Sequence, residues 1–373
     1  MKTAAEKGRD MALRTVAAKL DSFDLTNSFA AGTGIRELYL EVTHRCPFRC
    51  AMCHHWQLAG QKSGADMDIK MLRRICASPL LNGVLTVVIT GGEPFLLPAL
   101  SRHVAMLARR FPEASIGILS SLPGAGVMPE LACCVRAAGG RLWLGSSLDG
   151  PGPVHDLSRG VKGAHKSLLE ALNAIRRDFP SLPVSLNFTI TPHTASSLYG
   201  TYLWAKKQDL WFGAQRAVNH TALPGTKFSW TPSAISKAVS QIDLIIADLI
   251  LRHSAFESLF SGKTKQKPWL WKELLYWKGL KEYMQKPRRL FGKCPAGDRW
   301  AMFSPSGELF FCPVRKHGTA GNAVKSGFEK IWKSRAAEAR RRHMASGRCH
   351  CWLHCTVSGM LDSSVAARFG SGG

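Results

Sequence analysis

The stretch 43–56, THRCPFRCAMCHHW, places Cys46, Cys50 and Cys53 within eight residues, spaced C-x3-C-x2-C. Thiols this close admit three chemistries. A disulfide would use two and leave one over. A tetrahedral zinc would need a fourth ligand, which His44, His54 or His55 would have to supply. A [4Fe–4S] cluster on three thiolates would leave its fourth iron open. A second group holds Cys294, Cys312, Cys349, Cys351 and Cys355. The remaining thiols, Cys76, Cys133 and Cys134, sit in apolar, helix-like contexts and read as buried structural cysteines.

The elements that must position these residues follow from hydrophobic periodicity. Residues 36–42 alternate and read as a strand running into the cysteine loop. Residues 84–90 form a second strand, ending at GGEP, with a helical stretch MDIKMLRRICASPL between them. Further strands are expected at SIGILSS, LWLGSSLDG, VSLNFTIT and LWFGAQRAV, each separated from the next by a helix-like segment. This alternation, to about residue 220, predicts an α/β fold: six parallel strands in a partial (β/α)6 barrel. Sites in such folds lie at the C-terminal strand ends, which is where the cysteine loop and GGEP fall.

Composition bounds the rest. With 373 residues at 45% hydrophobic, the chain can bury a large core plus a smaller second unit. No apolar run approaches the ~18 residues of a membrane span. The first 20 residues scatter charge through their apolar positions, which reads as a short amphipathic helix rather than a secretory signal. The expected location is therefore the cytoplasm, with peripheral membrane contact open, where eleven reduced cysteines point to metal binding. A net charge of +24 fits anionic partners such as phosphate groups, nucleic acid or a membrane surface, and equally fits plain solubility.

The cysteine motif after one strand and GGEP after the next, in that order, resemble the radical S-adenosylmethionine (SAM) superfamily. SSLDGPGPVHDLSRGVKG at 146–163 resembles the SLDGP…HD…RG…G signature of the subgroup with a C-terminal SPASM or twitch domain. The resemblance covers roughly residues 36–356. It implies a [4Fe–4S] cluster on Cys46, Cys50 and Cys53, with SAM chelating the open iron. It also implies an electron donor such as flavodoxin or ferredoxin. Met52, where the family usually carries an aromatic, would lie near the adenine. Gly91, Gly92 and Glu93 would form the edge that accepts hydrogen bonds from the SAM amino group, in a turn shaped by Pro94. Ser147, placed at the end of a fifth strand, and Arg159 resemble family contacts to SAM. Read without the resemblance, Arg159 is a surface arginine pairing with Asp156, and Asp149 either meets substrate or caps its own loop.

Cys294, Gly307 and Cys312 match the opening of a SPASM domain, as do Gly321-Asn322 and Trp332. Only Cys349, Cys351 and Cys355 follow, enough for one auxiliary [4Fe–4S] cluster rather than two. Cys294, Cys312, Cys351 and Cys355 are the preferred ligands, because Cys349 and Cys351 would point apart in extended chain. A zinc on the same cysteines is the alternative. Sulfatase-maturing relatives place an Asp after the position of Cys312; Pro313 stands here, which disfavours that reaction.

The expected organisation is a helical extension over 1–35, the barrel over 36–230, a basic Trp-rich helical segment over 231–292, a reduced SPASM-like or twitch-like domain over 293–356 and a flexible tail over 357–373. In the basic segment Lys263, Lys265, Lys267, Lys272, Lys278, Lys281, Lys286, Arg288, Arg289 and Lys293 interleave with Trp269, Trp271, Tyr276 and Trp277. Such a helix can lie on an anionic membrane or grip a phosphate-bearing substrate. It can equally be a solvated helix whose tryptophans pack inward. The leading expectation is hydrogen abstraction from a small or lipid-linked phosphate-bearing molecule, giving oxidation or bond formation. The alternatives are a maturase of ribosomal peptides and, from another class, an iron–sulfur nucleic-acid-binding protein; the latter leaves GGEP and SSLDG unexplained.

Overall fold

The computed structural model describes residues 4–23, 34–53, 55–58, 66–218, 227–253, 267–292, 294–312, 314, 318–346 and 349–369, without several side chains near the two ends, that of Cys355 among them. His54, Lys263, Lys265, Lys293 and Pro313 lie outside the described residues.

Six strands, β1 (Glu37–Thr43), β2 (Thr86–Gly91), β3 (Ser115–Leu119), β4 (Leu142–Ser147), β5 (Val184–Ile190) and β6 (Trp211–Arg216), pair in parallel in sequence order. Ahead of them is α1 (Ala4–Asp21), and between them run α2 (His55–Leu58), α3 (Ile69–Cys76), α4 (Leu100–Arg110), α5 (Met128–Ala138), α6 (Gly152–Arg159), α7 (Ala164–Asp178) and α8 (Leu198–Lys207). Local chemistry starts the helices where expected. The Asp68 carboxylate accepts from Met71 N at the head of α3. Thr231 caps α9 (Pro232–Arg252), with proline in its first turn.

The strands have two unlike faces. Leu38, Leu40, Val42, Val87, Ile89, Ile116, Ile118, Leu142, Leu144, Leu186, Phe188, Ile190, Phe212 and Ala214 are all at most 3% exposed. Each such large side chain contributes roughly 1.5–3 kcal/mol on burial. Among the alternate positions, Tyr39, Thr90, Trp143, Ser147, Ser185, Asn187 and Gln215 are half-buried and mostly polar, while Glu41, Thr43, Val88 and Thr189 are buried. Register sets them side by side, Ser147 against Asn187 and Gly145 against Ser185. The sheet thus buries one face completely and keeps the other partly open, the arrangement of a partial barrel with a usable interior. Ser147 ends the fourth strand, not the fifth as expected.

The sheet continues past the barrel. After α10 (Pro268–Gln285), β7 (Trp300–Phe303) pairs in parallel with β1, and β8 (Glu308–Phe310) and β9 (Gly321–Asn322) follow antiparallel. The order is β6-β5-β4-β3-β2-β1-β7-β8-β9, so the C-terminal unit shares the barrel's sheet. Short helices α11 (Ala323–Ser326) and α12 (Phe328–Trp332) and the longer α13 (Arg335–Ala345) complete it.

Two expectations change. Residues 357–369, expected to be flexible, belong to a helix, α14 (His354–Phe369), that buries Val357, Met360, Leu361 and Val365. Those four recur at helical spacing, a pattern masked by the glycines and serines around it. On α10, Trp271 and Trp277 face inward, at 1% and 0% exposure. Trp277 stacks on Phe212 at 6.4 Å between ring centroids, and the Tyr276 hydroxyl donates to the Ala214 carbonyl at 2.7 Å. The lysines find acidic partners: Lys272 with Asp362, Lys278 with Asp21 and Glu282, and Lys281 with Asp243. The inward-packing alternative is the one the structure realises for these residues. No helix among the described residues is long and apolar enough to cross a membrane.

Candidate cofactor site at the strand ends

β1 delivers the chain into the cysteine loop, and three other elements hold that loop in place. From the end of β2, Gly92 N donates to Thr43 O at 2.7 Å and Glu93 N to Arg45 O at 2.8 Å. A Cβ on Gly92 would come within 2.2 Å of Arg45 O, so only glycine permits this approach. From the end of α6, the carbonyls of Arg159 and Ser158 accept from Arg49 N and Ala51 N at 2.9 and 3.0 Å. From the chain after the loop, Asp66 accepts from the Thr43 hydroxyl at 2.6 Å and pairs with Arg45 at 2.5 Å.

Inside this frame Cys46, Cys50 and Cys53 lie close together: the Cys50 and Cys53 thiolates raise the pKa of Cys46, and that of Cys50 raises Cys53. Phe48, Cys50 and Ala164 form a small buried cluster, against which Cys46, Met52, Cys53 and Val161 pack. Burial pushes the Cys46 thiol up to about 12 and the Cys53 thiol to about 11, and raises Cys50 as well. The bare thiols are therefore protonated at neutral pH, and iron must displace those protons.

Arg159 is 7% exposed and pairs with Asp149, not Asp156, at 2.6 Å. Its guanidinium stands 3.9 Å from the Cys50 sulfur. Asp149 is fully buried and accepts from the Ser158 hydroxyl at 2.6 Å and Thr189 N at 2.8 Å, so it anchors the loop rather than reaching outward. Asp156 instead accepts from Gly163 N and His165 N. Arg159 Nε is buried and has no hydrogen-bond partner among the described residues. A buried cation with a free donor beside three thiols suits an anionic cluster and a carboxylate-bearing ligand, so the residues present fit [4Fe–4S] and SAM.

The Glu93 side chain is spent on structure. It accepts from the Ser120 hydroxyl at 2.7 Å, Ser121 N at 2.9 Å and Phe95 N at 3.3 Å, and burial lifts its carboxyl to about 7. Only its backbone, with those of Gly91 and Gly92, remains for the expected ligand edge. Ser147 is half-buried on the open face, beside Asn187.

The second thiol group also assembles. Cys294 is buried, and Cys312, Cys349 and Cys351 all act electrostatically on it, with burial pushing its thiol to about 12. Cys349 and Cys351 thus both approach Cys294, where alternation would have sent them apart. The segment 349–353 is irregular, so strand alternation does not apply. Trp352 anchors it: the indole donates to Tyr276 O at 3.0 Å and fills a notch where a Cβ on Gly279 would stand 2.0 Å from its ring. Tyr283 of α10 approaches the His350 Nδ1 at 3.2 Å beside these thiols. The side chain of Cys355 is not described.

Glu41, His44 and His55 form a cluster that the sequence did not flag as a group, since their spacing matches no common motif.

Residues 40–205 match the radical SAM superfamily, and residues 294–356 match the SPASM iron–sulfur cluster-binding domain. The chain carries a radical SAM domain followed by a SPASM domain. Its cofactors follow from the two domains: SAM with a [4Fe–4S] cluster in the first, auxiliary iron–sulfur in the second. Among curated proteins, this radical SAM protein is 31% identical over 156 residues to a PqqA peptide cyclase of Gluconobacter oxydans, covering 41% of each chain. It is 29% identical over 168 residues to a GTP 3',8-cyclase of Mycobacterium ulcerans, covering 44% of each. The chain thus spans under half the length of these curated relatives. Among solved structures it resembles anSMEcpe with bound AdoMet, with a TM-score of 0.59, 15% identity and coverage of 82% of this chain and 79% of the other. It also resembles Streptococcus suis SuiB bound to precursor peptide SuiA, with a TM-score of 0.57, 15% identity and coverage of 88% and 70%. At such identities the likeness is one of fold.

Proposed function

We propose that this radical SAM protein modifies a peptide by abstracting hydrogen from an unactivated C–H bond, with its auxiliary thiol site serving the oxidation that follows. When bound, the reduced cluster with SAM supplies a 5'-deoxyadenosyl radical, the species competent for that bond. The chain's own residues bind and shield. Cys46, Cys50 and Cys53 hold three irons, and Arg159, fixed by Asp149, offsets negative charge at Cys50. The backbone of Gly91, Gly92 and Glu93, with Met52 and Ser147, lines the SAM position. Cys294, Cys312, Cys349 and Cys351 hold the auxiliary cluster, with Cys355 as a further thiol in that segment. The half-buried face carrying Trp143, Asn187 and Gln215 receives the substrate.

One observation carries the peptide over the phosphate-bearing substrate first expected. The described lysines of α10 are paired with carboxylates, and Trp271 and Trp277 are buried. Of the groups that were to grip an anionic head and seat an apolar tail, Lys272, Lys278, Lys281, Trp271 and Trp277 are thus engaged within the fold, whereas Trp269 is exposed. The name PqqA peptide cyclase, borne by a relative, supports the same substrate class.

The test is anaerobic turnover of the reconstituted enzyme with SAM and reduced flavodoxin. One arm offers synthetic peptides from short reading frames beside its gene. The other offers sugar phosphates and nucleoside triphosphates. Stimulated 5'-deoxyadenosine formation, with a peptide that loses two hydrogens in mass, is expected. Stimulation in the phosphate arm alone would return the assignment to the small-molecule class.

A further inference from the structure

Glu41 lies on β1 two residues before the strand ends at Thr43, and it is 1% exposed. His44 precedes Cys46 by two residues and His55 follows Cys53 by two. Their Nε2 atoms converge on that one carboxylate, His44 at 3.3 Å from Oε2 and His55 at 3.5 Å from Oε1. One ligand atom from each of the three residues lies within 4.8 Å of the others. His44 is 3% exposed and the His55 side chain 15%. Neither ring has a hydrogen-bond partner at Nδ1 among the described residues, so the polar chemistry of both rings is directed at Glu41.

Two imidazoles and a carboxylate are a zinc-type donor set. Donors held about 2.0–2.1 Å from a tetrahedral cation stand about 3.3–3.4 Å apart, close to the 3.3 and 3.5 Å that these nitrogens keep from the carboxylate's two oxygens. We propose that Glu41, His44 and His55 form a further, sulfur-free metal site for a zinc-like divalent cation, which fastens both ends of the cysteine loop to β1. The cation would take the two imidazoles and the carboxylate, with water in its fourth position. The residues come from the strand, the turn after it and the first residue of α2. A cation there closes the base of the loop, whereas the iron thiolates close its tip. The site stands apart from the substrate assignment, which could fail without affecting it.

Zinc also binds empty thiolate sites, so the clusters are assembled first. The reconstituted full chain is then equilibrated with equimolar zinc, freed of excess and analysed for zinc, iron and sulfide. About one zinc per chain is expected, with iron and sulfide unchanged. Zinc X-ray absorption should show nitrogen and oxygen neighbours at about 2.0–2.1 Å and no sulfur shell at about 2.3 Å. His55→Gln should lose most of the zinc while keeping its iron. No zinc on the wild-type chain, a sulfur shell, or wild-type zinc in His55→Gln would each overturn the proposal. Should the substitution also strip iron, the wild-type absorption spectrum decides alone.

Discussion

Gly160 shows how a single residue governs the first cluster. It sits at φ 65°, and a Cβ there would stand 2.3 Å from Arg49 O, within the cysteine loop. Gly163 also has a positive φ, yet a Cβ there would meet nothing within 4 Å. Gly160→Ala should therefore lose roughly half of the reconstituted iron, while Gly163→Ala keeps it at a cost near 1 kcal/mol of strain. Equal iron in both variants would remove this role. His155 offers a pH test. Its Nδ1 accepts from Asp149 N at 3.1 Å, and burial, helped by Arg159, lowers its pKa to about 4. The folded state holds the neutral ring, so its contribution is complete above the unfolded value near 6.5. Below that the unfolded chain takes up a proton that the fold refuses, and stability falls as pH drops toward 4. The loss reaches about 3 kcal/mol. Urea unfolding of His155→Gln should show a shallower decline between pH 7 and 4.5 than wild type, and parallel slopes would contradict this. At this scale the cysteines were legible because thiols at that spacing have few uses. The partner of Arg159 was not, because Asp149 and Asp156 are both near in sequence and only the fold buries one of them.

Among the elements, α10 separates charge seen in sequence from charge available to a ligand. Its lysines and tryptophans recur at helical spacing, but periodicity does not say which set faces a neighbour. The structure turns Trp271 and Trp277 inward and engages Lys272, Lys278 and Lys281 at half-exposed ion pairs. Such pairs contribute about 0–1 kcal/mol each. Changing all three lysines to Gln should cost little stability and leave the substrate KM unchanged. Trp277→Ala, which opens a cavity against Phe212, should cost about 3–5 kcal/mol. Denaturant midpoints and steady-state kinetics check both. A large rise in KM for the triple lysine variant would restore an anionic substrate. The strands were legible from their alternation and apolar runs. α14 was not, because its buried Val357, Met360, Leu361 and Val365 are diluted by small polar residues.

For the whole molecule, one continuous sheet joins the two thiol sites, with β1 leading to the first and pairing with β7 of the unit that holds the second. The sequence made the barrel legible, since each strand there is followed by its own helix. The pairing of β7 with β1 was beyond it, because β1 ends at Thr43 and β7 begins only at Trp300, and nothing local encodes so distant a partner. The central claim is that the two cysteine groups hold two separate iron–sulfur clusters, the first of which serves SAM. Iron and sulfide per chain after anaerobic reconstitution, measured together with SAM cleavage, test it most directly. Wild type should carry about eight irons, and the Cys46, Cys50, Cys53→Ala variant about four, with no 5'-deoxyadenosine formed. A triple variant that keeps its full iron and still cleaves SAM would contradict the assignment.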